Sequence, residues 1–319
     1  MPDPQFAPVG RGHLSPLPRK KGFGYYVSLF AAALGVCVVA GLWTTLRGAT
    51  GPSRDRRRAG ELNDQAVAEL KGGDVKRALH SLNEAARLDP KNPRVLANRA
   101  FARTKAGDID GALADCEAAL RLNPSEALAF GNRGVARAAR HEWPAAKADL
   151  DRAIALDASN AWAWANRGAV RLVTGDLDGA LADFNEALRR DDGISEAYAG
   201  RAMVRVQKGE FEPALKDAED ALRRNAKSAD ALGARALAHL ALGNPKEAEA
   251  DVTAAIEIDD QQGMYHLLRA RVRVFAGDLQ GANEDIAAAR KAAGEGTPGR
   301  KVVEEVAKEL LGTQEPAEK

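Results

Sequence analysis

Six arginines, Arg99, Arg133, Arg167, Arg201, Arg235 and Arg269, are each followed sixteen residues later by an aspartate: Asp115, Asp149, Asp183, Asp217, Asp251 and Asp285. A guanidinium facing a carboxylate makes a two-pronged, charge-assisted hydrogen bond, which orients and holds groups and transfers nothing. One step before Arg99, both partners are missing together, replaced by Gln65 and Ser81. Joint loss within one chain is what a paired contact produces. The series reads as a structural ladder of Arg–Asp pairs fixing helix register, with a ligand site as the alternative.

Other reactive patterns are weaker. The run Gly294, Glu295, Gly296, Thr297, Pro298, Gly299 has dinucleotide-loop glycine spacing, but no strand pattern precedes it and no strand–helix–strand unit surrounds it. Arg300, Lys301 and Val302 then follow where a phosphate loop needs lysine and a hydroxyl residue. His80, His141, His239 and His266 never pair at metal-ligand spacing. No serine elbow, metalloprotease helix or carboxylate pair stands out, and Asp259 and Asp260 fall in a turn. The expectation is a chain without catalytic residues, cofactor, metal or small-molecule substrate.

The spacing of the arginines, 34 residues, is the period of everything around them. Counting places from Ala59, the eighth holds Ala66, Ala100, Gly134, Gly168, Ala202, Ala236 and Ala270. The twentieth holds Ala78, Ala112, Ala146, Ala180, Ala214, Ala248 and Ala282, and the twenty-seventh Ala85, Ala119, Ala153, Ala187, Ala221, Ala255 and Ala289. Three small-residue columns in one frame mark a repeat architecture. Apolar spacing within each unit is helical, and Gly73, Gly107, Gly175, Gly209, Gly243 and Gly277 split it into two helices. Asp108, Asp176 and Asp278 stand where a side chain caps the second helix, and Pro144, Pro213 and Pro245 in its first turn. The twenty-third place, holding the aspartates, lies between two alanine columns and so faces the first helix.

The 34-residue length, the small columns, Trp164 and Tyr198 at the fourth place, and Pro90 and Pro124 closing units resemble the tetratricopeptide repeat. The seventh and eleventh places depart from that pattern, being mostly arginine. So do units three to six, which close on Ala158, Asp192, Ala226 and Asp260. The resemblance implies an all-α solenoid, a right-handed superhelix of seven helical hairpins, starting at Ala59, Pro93, Ala127, Ala161, Ser195, Ala229 and Gly263 and spanning 59–296. A capping helix at 300–312, with Val302, Val303, Val306 and Leu310 apolar, and a tail at 313–319 follow. It also implies a concave groove that binds a peptide or helix of another protein. The groove residues expected here are the ninth-place Phe101, Val135, Met203 and Leu237, Trp162 as an aromatic anchor, and Asn98, Asn132 and Asn166 as donors to a peptide backbone. The alternative is that the apolar stripe only packs repeat against repeat. The carboxylate clamp that some members use on chaperone tails is matched at Asn98 alone, so no such specificity is expected.

Before the repeats, residues 1–23 are proline-rich with few apolar side chains and read as a disordered tail. Residues 24–46 carry no charge, and as a helix they reach the roughly 30 Å of a bilayer core. Tyr25, Tyr26 and Trp43 fall at its ends, where aromatic rings prefer the interface. A single membrane-spanning helix is expected, with a cleaved signal peptide and a secreted product as the alternative. Residues 47–58 read as a basic linker. Positive charges flank both sides nearly equally, so sidedness stays open, with the repeats placed outside the cytoplasm as the working expectation. The formal net charge is +1, which offers nothing to nucleic acid. Two cysteines, Cys37 and Cys116, form no framework. The functional expectation is a non-catalytic, membrane-anchored scaffold; the runner-up is a structural accessory subunit of a membrane enzyme or envelope-assembly complex.

Overall fold

The computed structural model describes residues 54–260, 262–295 and 297–312. They form fifteen helices and no strand. Seven antiparallel pairs come first: α1 (Arg54–Lys71) with α2 (Val75–Leu88), α3 (Pro93–Lys105) with α4 (Ile109–Leu122), and α5 (Ala127–Ala139) with α6 (Trp143–Leu156). Next are α7 (Ala161–Val173) with α8 (Leu177–Arg190), α9 (Ser195–Lys208) with α10 (Phe211–Arg224), and α11 (Ala229–Ala241) with α12 (Pro245–Ile258). The last pair is α13 (Gly263–Ala276) with α14 (Leu279–Ala293), and α15 (Pro298–Gly312) closes the stack. Among these residues no helix is long and apolar enough to cross a membrane. The expected span at 24–46 and the tails at 1–23 and 313–319 lie outside them.

Substantial helix contacts run within a pair or between adjacent pairs, which makes the molecule a one-dimensional stack with a strip of core threading it. All three small-residue columns lie in that strip and are buried. A larger side chain at any of them would push paired helices apart, because interiors are packed to crystal density. The twenty-fourth place supplies the filling: Leu82, Cys116, Leu150, Phe184, Ala218, Val252 and Ile286 are all buried. Phe184 is the largest of these, and glycine answers it from two sides. A Cβ on Gly168 would come within 3.1 Å of its ring, and one on Gly200 within 2.3 Å.

Turns inside the pairs use glycine in the left-handed region, φ 79–84° from Gly73 to Gly277. Unit three instead puts His141 there at φ 61°, edge-on to Trp143 at 5.2 Å. Asp108, Asp176 and Asp278 accept hydrogen bonds from the N–H groups of Gly111, Gly179 and Gly281 at 2.9–3.0 Å, satisfying helix donors that have no partner in the helix. At the far end α15 buries Val302, Val303, Val306 and Leu310 against the last pair, while Arg290 and Arg300 clasp its Glu304. The helix starts at Pro298, two residues earlier than the apolar pattern suggested. At the near end the difference is larger: α1 begins at Arg54, so the last five residues of the expected linker are helical. Arginine is a good helix former, and these residues continue a helix already anchored by Leu62 and Ala66.

Candidate functional site

Each ladder aspartate is buried and meets the arginine sixteen residues before it through both carboxylate oxygens. Nη2 lies 2.5–2.7 Å from Oδ1 in Arg99–Asp115, Arg133–Asp149, Arg167–Asp183, Arg201–Asp217, Arg235–Asp251 and Arg269–Asp285. Nε closes the second prong at 2.8–3.0 Å. This ties the first helix of a unit to its second. The same guanidinium also reaches back one repeat: Nη1 of Arg99, Arg167 and Arg201 donates to Asn83, Asp151 and Asn185 at 2.7–3.3 Å. Intra-repeat and inter-repeat register thus depend on one side chain. Hydrogen bonding to the aspartate holds Arg99, Arg133, Arg167 and Arg235 above the usual guanidinium range, against the opposing effect of burial.

A second arm escaped the sequence reading. Arg103, Arg137, Arg171, Arg205 and Arg273, one helical turn after the ladder arginines, place Nη1 2.7–2.9 Å from the same aspartates. Five carboxylates are therefore held by two guanidiniums each, and only Asp251, whose unit has His239 at the eleventh place, is left with one. The signal was present as a departure from the family pattern, four residues from the first column and on the same helix face. Unit one replaces the charged triangle by a milder one, in which Gln65 and Ser81 both donate to Glu69 at 2.8 and 3.0 Å. Among the described residues no helix pair precedes unit one, and a guanidinium at Gln65 would meet none there.

The expected groove residues divide into two groups. Phe101, Val135 and Met203 are each 3% exposed and pack within the stack, Phe101 against Val135. Asn98 and Asn132 are buried with their amides spent: Asn98 donates to Asn63 at 2.7 Å and Asn132 to the Ala97 carbonyl at 2.8 Å. These five were expected on an open surface; all five pack repeat against repeat, and Asn98 also borders the recess beside Trp162. The cause is the closeness of successive first helices, nearest at α3 with α5 and at α9 with α11. Asn166, half-buried, donates to its own Trp162 carbonyl at 2.8 Å, and Leu237 is half-buried beside Val206.

Trp162 stands where the stack loosens. Helices α5 and α7 touch least of all successive first helices, and a recess of about 380 Å³ opens across the starts of α3, α5 and α7. Leu128 and the half-buried Trp162 supply its apolar wall, Arg94 and Arg190 its cations, and Glu126, Asp157 and Asp191 its carboxylates. Asn160 fixes the start of α7 by accepting from the N–H groups of Trp162 and Ala163. A second polar spot lies further along the second-place row. There Tyr265 donates to Asp230 at 3.0 Å; burial pushes that carboxyl up to about 6, Glu196 and Asp259 add to the push, and the tyrosine opposes it. Among the described residues no group of histidine, cysteine and carboxylate side chains could hold a metal.

A family profile described as the tetratricopeptide repeat matches residues 63–127, 132–193 and 200–263, more than half of the chain. The chain belongs to the tetratricopeptide repeat family. Three solved structures are similar in fold. A tetratricopeptide repeat protein from Parabacteroides merdae ATCC 43184 is 19% identical, with 80% of this chain and 99% of that one covered at a TM-score of 0.55. A chain of the APC/C hetero-tetramer Cut9-Hcn1 is 16% identical, with 80% and 47% covered at 0.60. PilF of Pseudomonas aeruginosa is 16% identical, with 68% and 98% covered at 0.53. No curated protein matches the sequence. At these identities the likeness concerns the fold. In tetratricopeptide repeats the first helices line the concave side; among the described residues Phe101, Val135 and Met203 close much of that lining, and a recess opens beside Trp162.

Proposed function

We propose that this tetratricopeptide repeat protein is a non-catalytic docking scaffold, held at a membrane by residues 24–46, with its hairpins coiled as a right-handed superhelix. Its partner is a peptide or helix of another protein, seated across the starts of α3, α5 and α7. The observation that carries this reading is the recess itself: an aromatic and an aliphatic side chain bordered by cations and carboxylates, at a junction where successive first helices touch least. A half-buried tryptophan gives large contact area at low entropic cost, which is why such residues dominate binding energy at interfaces.

Burial of Phe101, Val135 and Met203 favours the second reading, a rigid accessory subunit whose stack serves as a spacer. Photo-crosslinking separates the two. A benzophenone amino acid in place of Trp162 should capture a discrete partner from native membranes, while the same probe at the exposed Arg152 on α6 should not. Trp162→Ser together with Leu128→Ser should weaken the captured partner's binding by about thirtyfold or more, the loss of one strong anchor. Equal capture at both positions, or a doubly substituted chain that binds as before, sinks the docking reading.

A further inference from the structure

Helix α1 overshoots its repeat. It begins five residues before Ala59, which at 1.5 Å per residue carries its end about 7 Å past the edge of the stack. Residues 54–58 are all exposed, and apart from Asp55 all are arginine. Helical spacing brings Arg54, Arg57 and Arg58 onto one face, opposite Ala59, Asn63 and Val67, which pack inward. Arg58 does contact Glu61 at 3.2 Å, but both side chains stay more than half exposed, and such pairs contribute little in water. Cations in the first turn of a helix also oppose its dipole. Asp55 in the same turn offsets part of this, and the remaining cations weaken the helix end unless an anion outside the fold compensates.

Chain length limits what that anion is. Seven residues separate position 46 from Arg54, so the start of the arginine face lies within about 29 Å of the end of the apolar stretch, whatever conformation the link adopts. We propose that Arg54, Arg57 and Arg58 dock on anionic phospholipid headgroups and so set the angle at which the repeat stack leaves the bilayer. This rests on the reading of residues 24–46 as a span. Charge complementarity and tethering both favour the lipid surface over a soluble polyanion, which would have to be held without a tether.

The test uses the full chain in lipid nanodiscs of phosphatidylcholine, with and without phosphatidylglycerol, and follows amide hydrogen exchange over residues 54–60. Each arginine near an anionic surface contributes about fivefold, so three give a preference on the order of a hundredfold. Exchange at the start of α1 should slow at least about tenfold when phosphatidylglycerol is present. The effect should vanish in high salt, which screens exposed charges, and in Arg54→Gln/Arg57→Gln/Arg58→Gln. Thermal unfolding of that variant should not fall, since none of the three packs in the core and their removal relieves the opposition to the helix dipole. Equal exchange in both lipids overturns the proposal, including the case of equal protection in both, which would indicate contact with a second copy. Failure of the wild type to co-elute with phosphatidylcholine discs overturns the span itself. The headgroup comparison then decides the arginine patch on its own, through exchange with and without anionic discs.

Discussion

Asp183→Asn keeps the shape of the side chain and removes its charge from between two guanidiniums. The carboxylate is 1% exposed and has Arg167 Nη2 at 2.7 Å, Arg167 Nε at 2.9 Å and Arg171 Nη1 at 2.9 Å. Hydrogen bonds to a charged group are worth about 1.5–3 kcal/mol, and breaking a buried pair costs about 3–5 kcal/mol because the partner stays behind unpaired. Two things soften the loss. The arginine side chains keep 13% and 19% exposure, and Arg167 retains Asp151 at 2.7 Å while Arg171 retains the Gly179 carbonyl at 3.1 Å. A destabilisation of about 3 kcal/mol is expected, toward the low end of the buried range. Asp251→Asn strands only Arg235 and should cost about half as much. Urea unfolding followed by circular dichroism gives the totals, and hydrogen exchange shows whether α7 and α8 loosen first, as a stack of local units requires. Costs below about 1 kcal/mol for both variants would place the ladder with ordinary surface pairs. Equal costs would refute the two-arm account of the clamp.

Three further outcomes follow from groups held inside the stack or at its edge. At Asp230 burial comes first among the causes that raise the carboxyl to about 6, so carrying the charge in the folded state costs up to about 3 kcal/mol above that pH and nothing below about pH 4. Asp230→Asn should therefore raise the thermal midpoint near neutral pH, with the gain shrinking as pH falls; a gain independent of pH would show that the charge is not the cause. Asp285 behaves oppositely, since burial raises it but His266, Arg269 and Arg273 hold it below the usual range, so its contribution is present at neutral pH and lost as pH falls through its folded value. Gly200→Ala would drive a Cβ into the Phe184 ring and should cost about 1–3 kcal/mol, as overpacking does. Adding Phe184→Leu should recover most of that loss, whereas additive costs in the double variant would separate the two positions.

The parts of the fold that repeat were legible because each is decided locally. Alanine at the twentieth and twenty-seventh places is imposed by the approach of two helices in one unit, so the column shows in a single chain without coordinates. The ladder was legible for the same reason: sixteen residues is one trip up α3 and down α4, and the loss of both partners in unit one reports the contact. The second arm was hidden by being sorted as family variation. Nothing in the eleventh-place arginines themselves says that Arg103 shares Asp115 with Arg99, or Arg171 shares Asp183 with Arg167.

The groove was not legible, because its state depends on how one unit leans on the next. Phe101 and Val135 occupy equivalent places and would both line an open surface if successive first helices stood apart. Asn132 reaching the Ala97 carbonyl, with Gly131 beside it, shows α5 drawn against α3, and the stripe closes. One unit later Trp162 and Asn166 sit on α7, which α5 touches least of all successive first helices. Nothing in the residues of either unit alone distinguishes these junctions, since the same 34-place pattern runs through both. What differs is the bulk carried at the second place, where Arg94, Leu128 and Trp162 succeed one another at the mouth of the recess. A groove in such a stack is therefore a property of a junction between repeats, and reading it requires comparing each unit with its successor as well as with the family pattern.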